Sequence, residues 1–89
     1  MDLPTDDRDE IIKRLRRVEG QLRGIQAMVE EGRDCNDVLT QFAAAHKAMS
    51  KAGFRFFAAT MEQCRIHPEL ADSKGYTADR MEEMFLRLS

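Results

Sequence analysis

Apolar residues fall at Ile11, Leu15, Val18, Leu22, Ile25 and Val29, in steps of four and three. That is the heptad rhythm of a helix packed lengthwise on other helices. It predicts a first helix from about Asp6 to Glu31. Thr5 or Asp6 is placed to cap its start, and Asp6, Asp7, Asp9 and Glu10 suit the positive end of its dipole. Gly32 is placed to stop it. Gly20 and Gly24 sit one turn apart inside it, each weakening the helix by about 1 kcal/mol. The spacing therefore predicts another helix backbone approaching that face.

A second apolar pattern follows. Asp34 is a good N-cap with Asp37 three residues on, and Pro68 ends the run, so a long helix reaches about Ile66. It carries Val38, Leu39, Phe42, Ala45, Met49, Ala52, Phe56, Phe57 and Met61, apolar around much of its girth. Such a helix is buried on more than one side. One neighbouring helix covers only one side, so the rest calls for a second subunit. HPELADSKGY reads as a polar connection. Thr77 then caps a short third helix with Met81, Met84, Phe85 and Leu88 on one stripe, a lid. The expectation is one all-α domain over residues 1–89, with three helices and no strand.

Composition adds limits. Eighty-nine residues make a small core that often needs oligomerisation, metal or disulfides. There is no apolar run of about 18 residues, so no membrane span is expected. The acidic start MDLPTDDRDE lacks an apolar leader, which points to the cytoplasm and to reduced thiols. No acid–base pair or cofactor motif suggests an enzyme. The net charge of −2 hides two basic stretches. Residues 8–24 hold Arg8, Lys13, Arg14, Arg16, Arg17 and Arg23 against Asp9, Glu10 and Glu19. Residues 46–65 hold Lys47, Lys51, Arg55 and Arg65 against Glu62. Lys47, Lys51 and Arg55, spaced by four, line one helix face. That stripe is either a solvated face or a surface that tracks phosphates. A helical oligomerisation module without a DNA target is the competing class, and the basic stripes argue against it.

Cys35 and Cys64 are the only thiols. Held on one helix they stand about 43 Å apart at 1.5 Å of rise per residue, far beyond the roughly 7 Å limit for a disulfide. Two such helices packed antiparallel about an axis near Met49 and Ser50 would set Cys35 opposite Cys64 of the second copy.

The segment RLRRVEGQLRGIQAMVEEGRDCNDVLTQFAAAHKAM resembles the CsoR/RcnR family of bacterial transcriptional repressors. The resemblance rests on the RL..VEGQ.RGI stretch and on the D-C-x-D-[VIL]-[LM]-x-Q block, and runs from about Ile11 to Cys64. It implies a three-helix protomer, a dimer through antiparallel second helices, and a disc-shaped homotetramer. It implies operator DNA held by basic residues of the tetramer face and released by an inducer. By position, Arg14 and Lys51 match the family's DNA-contacting sites. Arg17, Lys47 and Arg55 join them on charge and helix spacing.

The effector follows from which residues match. The family's copper sensors hold Cu(I) with a Cys opening helix 2 and an H-x-x-x-C pair from the partner. Here Cys35 and Cys64 are present, but TMEQC puts Thr60 at the His position. Thr is a poor ligand for a soft monovalent metal. Thr60 itself reads as a surface residue. The histidines of nickel and cobalt sensors are lacking, and His46 reads as a packing or surface residue. Formaldehyde sensors have an N-terminal proline and no second Cys, whereas this chain has Asp2 and Cys64. Two cysteines without the His are similar to the CstR-type branch, which senses persulfides and polysulfides and needs no cofactor. In that reading Cys35, on the positive end of the helix dipole, attacks first and Cys64 of the partner resolves. The alternative is Cu(I) held by Cys35, Cys64 and an atypical third ligand such as His67. Met28, Met49, Met61, Met81 and Met84 read as core.

Overall fold

In the computed structural model, residues 2–88 are described. Four helices follow in order: α1 (Thr5–Glu30), α2 (Cys35–Ile66), α3 (Pro68–Lys74) and α4 (Ala78–Leu86). The all-α expectation holds, with one helix more than the pattern suggested. The connection predicted to be irregular contains α3. Pro68 ends α2 as expected and also starts α3, where its fixed φ suits the first helical turn. Gly75, at φ 69°, closes α3 in the left-handed conformation.

The other boundaries follow local chemistry. Asp34 caps α2 by accepting from the Asn36 N–H at 3.0 Å, and Thr77 caps α4 by accepting from the Arg80 N–H at 3.2 Å. Gly32, at φ 68°, stops α1. Its N–H donates to the Val29 carbonyl and that of Arg33 to the Met28 carbonyl, the pair of hydrogen bonds that closes such an end. The start of α1 differs from expectation. Pro4 occupies the cap, no side chain caps it, and Thr5 is already helical. Asp6 and Asp7 in the first turn still suit the dipole.

The long helices α1 and α2 lie antiparallel, joined by the short turn around Gly32. Leu22 and Val29 share a groove with Phe42, while Ile11 and Leu15 share one with Phe56. The seam between them carries the core. Ile11, Val18 and Ile25 are buried on α1, and Ala45, Ala52 and Ala59 on α2. Both rows step by seven, so the branched side chains of one helix run along the alanines of the other. Alanine lets the helices approach closely. α4 lies across α2 as the expected lid, with the Phe85 ring 5.4 Å from Phe54 and 5.6 Å from Phe57.

The result is a slab of 53 × 27 × 13 Å, about one helix thick. Its radius of gyration is 16.8 Å, against about 13 Å for a compact domain of 100 residues. A single layer cannot cover both of its faces. Leu22, Val29, Leu39, Phe42, Met49 and Phe56 remain 46–59% exposed. Of the apolar stripe of α1, Ile11, Val18 and Ile25 therefore fill the seam, Leu15 is half-buried, and Leu22 and Val29 face outward.

Gly20 and Gly24 do not mark a close approach within this chain. A Cβ built on either meets no atom within 4 Å. The tight spot is Gly53, where an added Cβ would lie 2.9 Å from Leu88 Cδ2. Gly20→Ala and Gly24→Ala should each stabilise the fold by about 1 kcal/mol through helix propensity alone. Thermal unfolding of each variant checks this. Lowered stability would instead place a second copy against that face.

Candidate functional site

Two groups of side chains occupy different sides of α2. On one side Arg14, Arg17 and Gln21 of α1 meet Ala44, Lys47, Ala48 and Lys51 of α2 in a shared groove of about 310 Å³. A second groove joins Arg14 and Lys51 to Phe54 and Arg55. The fold thus gathers all five basic residues singled out from the sequence, two from α1 and three from α2. Their states differ. Arg14 Nε donates to Glu10 Oε1 at 2.9 Å, and Arg55 Nη2 donates to Asp7 Oδ1 at 2.8 Å. Among the described residues Arg17, Lys47 and Lys51 have no carboxylate within 4.0 Å. These three are the uncompensated cations of the groove. The Arg55–Asp7 pair joins positions 48 residues apart, which no local spacing rule could reveal.

The thiols lie on the other side. At about 100° per residue, Lys51 is about 160° around α2 from Cys35 and about 140° from Cys64. Cys35 and Cys64 themselves differ by only about 20°, so they share one face. Cys35 is the first residue of α2 and is exposed, while Cys64 is 8% exposed. Phe42, Met49 and Phe56, exposed and spaced by seven, run between them.

Thr60, expected on the surface, is buried at 8% exposure, and its Oγ1 has no hydrogen-bond partner. An unpaired buried hydroxyl costs about 1–3 kcal/mol. Nothing in the sequence signals this, because threonine is common on exposed helix faces. The contrast with Thr40 is informative: its Oγ1 donates to the Asn36 carbonyl at 2.8 Å, the usual outlet for a threonine within a helix.

Near Cys64 the charges are already spent. Arg65 donates twice to Glu62, which holds the Glu62 carboxyl below its usual range and the guanidinium above. His67 sits past the end of α2 with its Nδ1 3.5 Å from Glu69 Oε1, and is exposed. Among the described residues no three His, Cys, Asp or Glu side chains come together within the chain as a metal site. No helix of the described residues is long and apolar enough to cross a membrane.

The profile of the family described as metal-sensitive transcriptional repressor matches residues 7–87. The chain belongs to this repressor family. It is 43% identical over 60 residues to the copper-sensing transcriptional repressor RicR of Mycobacterium tuberculosis, a stretch covering 67% of this chain and 62% of that one. It is 41% identical over 58 residues to the copper-sensing transcriptional repressor CsoR of Bacillus subtilis, covering 65% and 57%. The chain therefore matches less than two thirds of the length of either relative. Its fold is similar to the crystal structure of the copper-sensing repressor CsoR with Cu(I) from Geobacillus thermodenitrificans, with a TM-score of 0.65 and 31% identity over 99% of this chain and 84% of that one. The family is not one of enzymes. These relatives are named for copper and not for persulfides.

Proposed function

We propose that this chain is an operator-binding repressor gated by a thiol site shared between two copies, with Cu(I) as the effector. The observation that carries the gating is the division of α2 into a basic side and a thiol side. Phe42, Met49 and Phe56 are already about half-buried, so covering the rest against the same face of a second α2 contributes about 1 kcal/mol or a little more per side chain. An axis near Met49 and Ser50 then sets exposed Cys35 of one copy beside buried Cys64 of the other. Two such dimers would form a tetramer presenting several basic grooves to one duplex. Arg14, Arg17, Lys47, Lys51 and Arg55 would contact phosphates, so binding would fall steeply with salt.

The copper half of the reading is supported by the relatives and by the donor set. Two soft thiolates from different subunits suit Cu(I). His67 would have to leave Glu69 to become a third ligand. When bound, Cu(I) supplies a soft cross-link between the subunits. Because the thiols lie across α2 from the basic groove, that link would act by shifting the helices rather than by covering the DNA surface.

Thr60 favours a second reading, in which sulfur is the effector. The Cys35 thiolate attacks the outer sulfur of an organic persulfide RS–SH, forming Cys35–S–SH and releasing RS⁻. The partner's Cys64 thiolate then attacks the Cys35 sulfur, forming a Cys35–Cys64 disulfide between subunits and releasing HS⁻. The exposure of Cys35 suits the attacking role.

One comparison separates the two. Cu(I) delivered against a competing chelator should bind tightly and lower operator affinity by about tenfold or more, as an allosteric coupling of 1–3 kcal/mol implies. Tetrasulfide should leave unlinked protomers by intact mass and unchanged DNA binding. Release by tetrasulfide with covalently linked protomers, and not by Cu(I), would exchange the readings.

A further inference from the structure

We infer that Asp7 and Glu10 are a built-in brake on the basic groove: they compete with DNA phosphates for Arg55 and Arg14, and leave Arg17, Lys47 and Lys51 as the main phosphate seat. The inference rests on the operator-binding reading above and narrows it. Asp7, Glu10, Arg14 and Arg17 step by three, four and three along α1, so they share one face. α1 and α2 run antiparallel, so that face sets Asp7 against Arg55 and sets Arg14 and Arg17 beside Lys51 and Lys47. The bond from Arg55 Nη2 to Asp7 Oδ1, at 2.8 Å, bridges the two helices. The Asp7 side chain is only 27% exposed, so salt screens this pair less than it screens a pair in open solvent. Glu10 Oε1 accepts from Arg14 Nε at 2.9 Å. A guanidinium held by a carboxylate presents little net charge to a polyanion. It must loosen that bond to make the same charge-assisted bond to a phosphate oxygen. Arg17, Lys47 and Lys51 bear no such cost, having no carboxylate within 4.0 Å among the described residues. The groove is therefore graded, from paired cations near the start of α1 to free ones further along.

Asp7→Asn and Glu10→Gln test this, because each keeps the shape and a hydrogen-bond acceptor while removing the charge. Asp6→Asn is the control. Asp6 shares the first turn of α1 with Asp7 and is exposed, and it forms no ion pair among the described residues. Its substitution thus makes the same change in net charge and at the helix dipole without freeing a groove cation. The probe is a labelled random-sequence duplex, since the phosphate contribution does not depend on sequence. Affinity is read by fluorescence anisotropy with the full chain. At about 0.15 M salt, Asp7→Asn and Glu10→Gln should each bind about fivefold or more tightly than wild type, the gain from one further neutralised phosphate. Asp6→Asn should bind as wild type does. Unchanged or weaker binding by Asp7→Asn and Glu10→Gln would overturn the inference, because the acids would then be holding the guanidiniums in position for DNA. An equal gain in Asp6→Asn would overturn it too, since net charge alone would account for the effect. Should Asp7→Asn fail to fold, Glu10→Gln against the same control decides. Lys47→Glu with Lys51→Glu, titrated beside them, keeps the two readings apart. If that variant binds the duplex as wild type does, the groove is not the DNA surface, and the proposed function falls together with this inference. If it loses binding while the acid variants gain none, only the brake fails.

Discussion

Lys47→Glu combined with Lys51→Glu will weaken operator binding by about 100-fold or more at near-physiological salt. Both side chains line the groove with Arg14 and Arg17, and neither is neutralised by a carboxylate within 4.0 Å. The groove then loses two cations and gains two anions in each copy. Both residues are exposed, so the fold should change by no more than about 0.5 kcal/mol per substitution. Electrophoretic shift across a salt series measures the effect. The slope of log affinity against log salt should flatten by about one for each phosphate that the variant no longer neutralises. Arg55→Ala should do less, because Arg55 is already paired with Asp7 at 2.8 Å. Unchanged affinity in the double variant would remove this groove from the DNA surface.

The second large effect concerns the thiols. Cys35→Ala and Cys64→Ala should each leave operator affinity intact and abolish its response to effector. Each substitution removes one half of every shared site. Their effects on stability should differ. Cys35 is exposed at the helix start and its loss should be nearly neutral, whereas Cys64 is buried and its truncation leaves a small cavity costing about 1 kcal/mol. Operator titration with and without Cu(I) measures the response, and urea unfolding measures the stability.

Much of this was legible in the sequence because it depends on periodicity. The heptad steps of α1, the cap at Asp34, the stops at Gly32 and Pro68, and the lid capped by Thr77 are local signals. Arg14 and Lys51 stood out through the family resemblance, and Arg17, Lys47 and Arg55 through charge and helix spacing; the grooves that gather them come from the packing of α1 on α2. What escaped depends on tertiary context. α3 hid in a polar segment because seven residues carry little periodicity, and only Pro68 and Gly75 frame it. Gly20 and Gly24 suggested a close approach that the chain places at Gly53 instead, because glycine spacing does not say which face is covered. Thr60 looked like a surface residue, since a polar side chain carries no mark of burial.

The shared thiol site is tested most directly by mixing its halves. Cys35→Ala chains and Cys64→Ala chains, carrying different tags, are co-refolded and the mixed dimer is isolated. Cu(I) affinity and stoichiometry are then compared with each parent. A shared site requires that neither parent binds tightly and that each mixed dimer holds one intact site, half the wild-type number, because one Cys35 still meets one Cys64 across the interface. A mixed dimer that binds no better than its parents, or a parent that binds like wild type, would contradict it.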